Sequence, residues 1–146
     1  EIIAGGETAG IPYAAYISEK LKKPMVYIRK KPKGFGINKQ IEGDFHKNQS
    51  ALLIEDLATD GGSKITFINA MREAELKVKD IFVIFYYDIF DFKKSDLFKL
   101  NVKIHSLCTW KNIINYIEKN NLYTEKEILD LKIFLSNPNK WRENNG

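Results

Sequence analysis

Residues 51–64 read ALLIEDLATDGGSK, and this stretch decides the fold of the chain. Its apolar first half predicts a buried parallel strand that ends at the adjacent acids Glu55 and Asp56. A short loop of small and hydroxyl-bearing residues follows, and a helix is predicted to begin near Ser63. The stretch therefore predicts that two carboxylates and a loop of phosphate size lie together at the carboxyl edge of a sheet.

The loop in this stretch has the chemistry of an anion-binding site. Gly61 and Gly62 permit positive φ angles and close backbone approach, so successive N–H groups can surround a phosphate. The following helix contributes the partial positive charge of its N-terminus, and the hydroxyls of Thr59 and Ser63 are further donors. A ligand that carries both a diol and a phosphate would fit this stretch. The alternative interpretation is an ordinary strand-to-helix turn with an acidic N-cap.

The run from Leu53 to Ser63 resembles the phosphoribosyl-pyrophosphate-binding motif of the type I phosphoribosyltransferases. Two further runs, GGETAGIP at 5–12 and RKKPKGFG at 29–36, are similar to the orotate phosphoribosyltransferase branch of that family. The resemblance covers most of residues 1–110. It implies a magnesium-dependent glycosyltransferase that makes orotidine 5'-monophosphate and pyrophosphate from orotate and phosphoribosyl pyrophosphate, in de novo pyrimidine (UMP) biosynthesis.

The resemblance also implies a role for each site residue. Glu55 and Asp56 would hold the ribose hydroxyls and favour the positive charge that develops at the ribose, with Asp56 counted as catalytic. Lys30 and Lys33 would be catalytic because they neutralise the departing pyrophosphate. The other predicted contacts to phosphoribosyl pyrophosphate are Thr8, Arg29, Thr59, Asp60, Gly61, Gly62 and Ser63. Mg2+ would arrive bound to pyrophosphate and ribose oxygens, so the prediction includes no metal-ligating residue.

A basic run, RKKPK at residues 29–33, places four cations in five positions, shortly before Gly36. Such a run must be solvated unless an anion neutralises it. The composition suits a flexible basic lid loop that closes on a leaving group. For the segment taken alone, a solvated hairpin arm is the favoured interpretation. The resemblance favours the lid, and it implies that the lid closes over the active site of the neighbouring subunit in a homodimer.

Composition limits the class of protein. The chain has 146 residues, of which 44% are hydrophobic, and it is expected to form one domain with a sheet core at 1–108 and C-terminal helices at 109–146. No apolar run is long enough to cross a bilayer, and the single cysteine, Cys108, excludes an internal disulfide. We therefore expect a cytoplasmic protein without a membrane partner. The resemblance implies that a further N-terminal part is absent from this chain.

Strands and helices alternate along the sequence. Strands are predicted at 1–5, 24–28, 51–56, 81–87 and 102–107, and residues 41–49 are predicted to hold a returning strand and a turn. Helices are predicted at 11–21, 63–76 and 95–100, with two more that begin at Thr109 and Thr124. This order predicts an α/β fold with a parallel sheet and crossover helices. The resemblance identifies the fold as a type I phosphoribosyltransferase core, flanked by helices.

The base that the site accepts is left open by the sequence. Ala9 and Phe35 stand where members of the orotate branch have a lysine and, in some, a histidine, and no arginine follows the strand at 81–87. One alternative is a phosphoribosyltransferase for another base, and a second is a regulator of the same fold that binds nucleotide and nucleic acid without catalysis. The net charge of +4 suits all of these ligands. Nucleic acid is the less expected partner, because both acids and the lid lysines are present.

Overall fold

The computed structural model describes residues 1–33, 40–59 and 61–138. The strands are β1 (Ile2–Gly6), β2 (Met25–Ile28), β3 (Ile41–Glu42), β4 (Ser50–Ala58), β5 (Lys77–Tyr86) and β6 (Lys103–Thr109). The helices are α1 (Gly10–Leu21), α2 (Gly62–Glu73), α3 (Asp96–Lys99), α4 (Trp110–Lys119) and α5 (Glu125–Ser136), with a 3-10 turn at Phe92–Lys94. The described strands form one sheet in the order β3-β2-β1-β4-β5-β6, and only the β2–β3 pair is antiparallel. The predicted α/β fold with a parallel sheet is confirmed.

The centre of the sheet is formed by β1 and β4, which are neighbours and carry apolar residues or glycine along most of their length. All five residues of β1 are buried, as are Leu53 and Ile54 of β4. α1 packs on one face of the sheet through Ala14, and α2 packs on the other face through Phe67 and Met71. Because helices cover both faces, these strands are apolar on both sides instead of alternating between apolar and polar residues.

The central strand β4 is longer than the sequence predicts. It runs to Ala58, so Glu55 and Asp56 lie inside the strand, and the prediction that it ends at these two acids is wrong. The reason is that Leu57 and Ala58 continue the parallel pairing with β5. The strand can carry Glu55 through the core because this carboxylate has a buried cationic partner, which is described below.

Three other predicted boundaries also differ from the structure. α2 ends at Glu73 instead of 76, because Glu75 adopts a positive φ of 61° and Leu76 N–H donates to the Met71 carbonyl at 2.9 Å. β5 begins at Lys77, four residues earlier than predicted. Residues 41–49 are predicted to hold a returning strand and a turn, and the strand is limited to the two residues of β3. In each case the core of the predicted element is correct and its end is displaced.

The two C-terminal helices begin where their capping residues predict. The side chain of Thr109 accepts a hydrogen bond from the backbone N–H of the third residue of α4, and Thr124 does the same in α5. Trp110, the first residue of α4, packs edge-on against the rings of Phe85 and Tyr87, with ring centroids 5.4 and 5.8 Å away. None of the helices in the described ranges is long and apolar enough to span a membrane.

Candidate active site

Three loops that the sequence singled out leave the carboxyl ends of β1, β2 and β4. These strands are parallel neighbours, so the three loops emerge side by side at one edge of the sheet. We call residues 7–9 the turn, residues 29–33 the basic segment and residues 59–61 the cradle loop. The structure therefore brings the predicted pyrophosphate, leaving-group and phosphate contacts to one place, with β1 and its turn between the other two.

The turn is tied to the basic segment through Glu7. The Glu7 carboxylate accepts a hydrogen bond from the backbone N–H of Lys30 at 2.6 Å, and Glu7 N–H donates to the carbonyl of Ile28 at 2.9 Å. Thr8 is exposed, and α1 begins two residues later with no side chain capping its N-terminus. The first amides of α1 can therefore serve an anion bound at the turn.

The basic segment is exposed and only loosely paired. The half-buried Arg29 and the exposed Lys33 both lie near the carboxylate of Glu42 on β3, at 3.6 and 3.5 Å. Lys30 and Lys31 are exposed. The glycines and Phe35 of the predicted lid lie outside the described residues, so the lid itself stays a prediction.

The cradle loop has a backbone shape that requires glycine at one position. Gly61 has a φ of 91°, and a Cβ at this position would overlap Cδ1 of Leu97. Gly62 then starts α2, again without a side-chain cap. Thr59 is exposed, and Asp60 lies outside the described residues. The loop thus places the N-terminal end of α2 at the same edge of the sheet as the turn.

The two acids of β4 have different environments. Glu55 and Asp56 are consecutive residues of a strand, so their side chains point to opposite faces of the sheet. Glu55 is 5% exposed, and its Oε2 lies 2.8 Å from Nζ of Lys64, which is 6% exposed. Asp56 is half-buried. The predicted pair of diol ligands is therefore one buried, salt-bridged carboxylate and one more accessible carboxylate.

Burial raises the pKa of Glu55 above its ordinary value of 4.5. The hydrogen bond and charge of Lys64 oppose this shift, the nearby charge of Asp56 adds to it, and the charge of Lys30 weakly opposes it. The dominant cause is desolvation, which disfavours the ionised form. Burial therefore destabilises the ionised form of Glu55, and Lys64 offsets part of this cost.

Two glycines leave space for the Glu55 carboxylate at the end of β1. A Cβ on Gly6 would overlap its Oε1 atom, and a Cβ on Gly10 would lie 2.7 Å from the same atom. Gly6 and Gly10 flank the turn on either side. The Glu55 side chain therefore lies directly against both ends of the turn while its other oxygen contacts α2.

Three residues of this site were missed by the sequence analysis, namely Glu7 as the tether of the basic segment, Glu42 as the partner of its cations, and Lys64 as the partner of Glu55. A signal for Lys64 was present in the sequence. It precedes Phe67, Ile68 and Met71 on the buried stripe of α2, at positions i, i+3, i+4 and i+7. A lysine on such a stripe requires an anionic partner.

The described residues contain no group of three or more His, Cys, Asp or Glu side chains that could hold a metal ion. Of the oxygen donors on β4, Asp56 is the more accessible, whereas Glu55 is already bonded to Lys64. One accessible carboxylate suits Mg2+ that takes most of its ligands from a polyphosphate and water.

Comparison with known proteins gives a consistent set of relatives. No protein-family model matches the chain. It is 47% identical over 143 residues to orotate phosphoribosyltransferase of Roseobacter denitrificans, and the aligned residues make up 98% of this chain and 64% of that relative. Among solved structures, orotate phosphoribosyltransferase from Aeropyrum pernix is 29% identical with a TM-score of 0.69, over 84% of this chain and 66% of that one. Leishmania donovani UMP synthase is 28% identical with a TM-score of 0.74, over 92% and 28%.

Proposed function

We propose that the chain catalyses the transfer reaction of the orotate phosphoribosyltransferases, to which it is similar in sequence and in fold. In this reaction orotate displaces pyrophosphate from phosphoribosyl pyrophosphate and orotidine 5'-monophosphate is formed, as a step of pyrimidine biosynthesis. The chain spans 64% of the length of its Roseobacter relative, so the activity, the substrates and the partners are parts of this proposal. The observation that carries it is the convergence of the turn, the basic segment and the cradle loop beside Asp56.

The cradle loop and the start of α2 would bind the 5'-phosphate. Gly61 bends the backbone at the start of α2, where no side chain caps the helix and the helix dipole favours an anion. The hydroxyls of Thr59 and Ser63 lie at the two ends of this loop and would add donors. Asp60 belongs to the same proposed contact set.

The turn and the basic segment would bind the pyrophosphate. The amides at the start of α1 and the Thr8 side chain would face one side of it, and the cations of the basic segment would approach from the neighbouring strand β2. As the bond to the ribose breaks, negative charge accumulates on the leaving group. Lys30 and Lys33, with Arg29, would stabilise that charge in the transition state.

Asp56 would act on the ribose. The anomeric carbon becomes positively charged as pyrophosphate departs, and a fixed carboxylate nearby stabilises that charge while it accepts hydrogen bonds from ribose hydroxyls. Glu55 belongs to the same proposed contact set and contributes a second negative charge from inside the strand. Mg2+ would be held chiefly by substrate oxygens, with the Asp56 carboxylate as the accessible protein ligand. It would neutralise part of the charge of the pyrophosphate.

The proposal also includes a homodimer in the cytoplasm, with the basic segment of one subunit reaching the site of the other. The exposed position of Lys30, Lys31 and Lys33 is what such sharing requires. The unpaired thiol of Cys108 suits a reducing compartment. Analytical ultracentrifugation, together with mixing of a Lys33 variant and an Asp56 variant, tests the shared site: restored activity in the mixture supports it.

The experiment that tests the function is release of pyrophosphate from phosphoribosyl pyrophosphate with Mg2+ and a panel of bases. We expect release with orotate and a loss of activity with the Asp56→Asn variant. Release of pyrophosphate with adenine or uracil, and not with orotate, would show that the acceptor is another base. Salt-sensitive binding of RNA through the basic segment, without release of pyrophosphate for any base, would favour a non-catalytic regulator.

A further inference from the structure

A buried ion pair lies between the two anion-binding loops, and its cation, Lys64, has no role in the proposed reaction. Lys64 Nζ contacts Glu55 Oε2 at 2.8 Å and donates to Ser63 Oγ at 3.1 Å. Both members of the pair are nearly inaccessible to solvent. A buried pair of this kind is often no more stable than apolar residues of the same size, so its presence calls for an explanation other than stability.

The position of the pair suggests that explanation. Glu55 Oε1 lies against Gly6 and Gly10, which flank the turn, and Oε2 is held by Lys64 in the first turn of α2. Ser63, the other contact of Lys64, is the residue that follows the start of α2 at the cradle loop. One continuous set of contacts therefore joins the turn to the cradle loop through the sheet.

The two loops would hold the two ends of one ligand, so the distance between them must match that ligand. We propose that Lys64 is a positioning residue, which holds the Glu55 carboxylate against Gly6 and Gly10 and so fixes the turn at the correct distance from the cradle loop. This inference rests on the proposed function. It divides the adjacent acids into two roles, with Asp56 directed to the substrate and Glu55 to the spacing of the two loops.

The spacing of the two loops should matter only for a ligand that has two anionic ends. Phosphoribosyl pyrophosphate would span the cradle loop and the turn and depend on their spacing. Ribose 5-phosphate would reach the cradle loop but not the turn, and pyrophosphate would reach the turn and the basic segment but not the cradle loop. Loss of the Lys64 contact should therefore weaken the two-ended ligand more than either one-ended ligand. A role in folding alone would weaken the three ligands equally, or not at all once the protein is folded.

The test is calorimetric binding of the three ligands to the full chain and to its Lys64→Met variant. We expect the dissociation constant of phosphoribosyl pyrophosphate to rise at least about tenfold more than those of ribose 5-phosphate and pyrophosphate. Lys64→Arg, which keeps the cation, should recover most of the affinity. Equal losses for the three ligands, or unchanged binding, would overturn the inference.

A second variant keeps the test decisive if Lys64→Met folds poorly. The double variant Lys64→Met with Glu55→Gln removes both charges and should recover much of the lost stability, because no unpaired buried charge remains. We expect it to retain the selective loss for phosphoribosyl pyrophosphate. If the affinity for phosphoribosyl pyrophosphate recovered along with stability, Lys64 would be only a structural counter-ion of Glu55. Failure of wild type to release pyrophosphate with any base would instead refute the proposed function.

Discussion

The cradle loop and the basic segment both meet anions in the proposed reaction, but they are built in opposite ways. Behind the cradle, the Glu55–Lys64 pair is short, at 2.8 Å, and its side chains are 6% and 8% exposed. In the basic segment, Lys33 lies 3.5 Å from Glu42 and its side chain is 66% exposed. One region is part of the core of the sheet, and the other lies on its surface.

This difference fits the two tasks. A phosphate that stays attached to the ribose throughout the transfer benefits from a preorganised site, which needs no rearrangement during the reaction. A group that departs as product must be bound and then released, and exposed ion pairs of small net energy permit both. The comparison predicts an order of mutational effects on the free energy of unfolding, from the buried region to the exposed one.

The largest effect is expected for Glu55→Ala. This change leaves the Lys64 ammonium buried without its partner, and removal of one member of a buried pair costs about 3–5 kcal/mol. Urea denaturation followed by circular dichroism measures the loss. The matched control is Glu118→Ala, which breaks an ion pair of 2.6 Å with Lys132 between two half-exposed side chains.

The control should cost at most about 1 kcal/mol, because solvent screens exposed pairs. Similar losses for the two variants would show that burial does not separate the two regions energetically. A far larger loss for Glu55→Ala would establish that the charge on β4 is tolerated only through Lys64.

A smaller but still substantial effect is expected for Gly61→Ala. An alanine at a φ of 91° is strained by about 1–3 kcal/mol, and its Cβ would also displace Leu97. Gly62→Ala is the control, since Gly62 is exposed and lies in the first turn of α2. That change should alter stability by less than about 1 kcal/mol. Equal effects of the two changes would mean that the shape of the cradle loop is not fixed.

The cradle could be predicted from sequence because its parts are contiguous. A strand, two acids, a glycine loop and a helix start follow one another within residues 51–64, so local patterns contain most of the information. The end of β4 was predicted too early because adjacent acids usually mark the end of a buried strand. Here the strand continues since Lys64, nine residues after Glu55, compensates for the buried charge.

The contacts around the basic segment could not be predicted in the same way. Glu42 reaches Arg29 and Lys33 only because β3 pairs antiparallel with β2, and a strand of two residues leaves almost no periodic signal. The bond from Lys30 N–H to Glu7 joins residues that are 23 positions apart, across neighbouring strands. Such contacts follow from strand order, which composition and spacing do not determine.

The dependence of stability on pH separates the buried carboxylate from the exposed ones. The pKa of Glu55 is raised in the folded state, so between its ordinary value of 4.5 and the raised value the folded state binds more protons than the unfolded state. The contribution of Glu55 to the unfolding free energy therefore falls as pH rises through this window, and is constant above it. Below 4.5 the opposite trend comes from exposed Glu1 and Glu127, whose hydrogen bonds lower their pKa.

Urea denaturation at several pH values checks this expectation with Glu55→Gln. The variant should lose the decrease of stability above pH 4.5 and keep the acid-side loss that Glu1 and Glu127 cause. An unchanged profile in Glu55→Gln would assign the dependence to other groups.

The smallest effect on stability is expected for Lys33→Ala, within about 0.5 kcal/mol of wild type, because an exposed side chain with a 3.5 Å ion pair contributes little. Turnover, by contrast, should fall strongly, by about 100-fold or more, since the cation would stabilise charge that develops only in the transition state. Binding of orotidine 5'-monophosphate, which has no pyrophosphate, should change little. Lys47→Ala is the control, with a lysine 71% exposed and one glutamate partner.

That control should leave both stability and turnover near wild type. If Lys33→Ala weakened nucleotide binding as much as it lowered turnover, Lys33 would contact the part of the ligand shared by substrate and product. The basic segment would then resemble the cradle in function, although it differs from it in burial. Loss of turnover with unchanged nucleotide binding would instead confirm that an exposed cation, unconnected to the core, contributes to catalysis without contributing to stability.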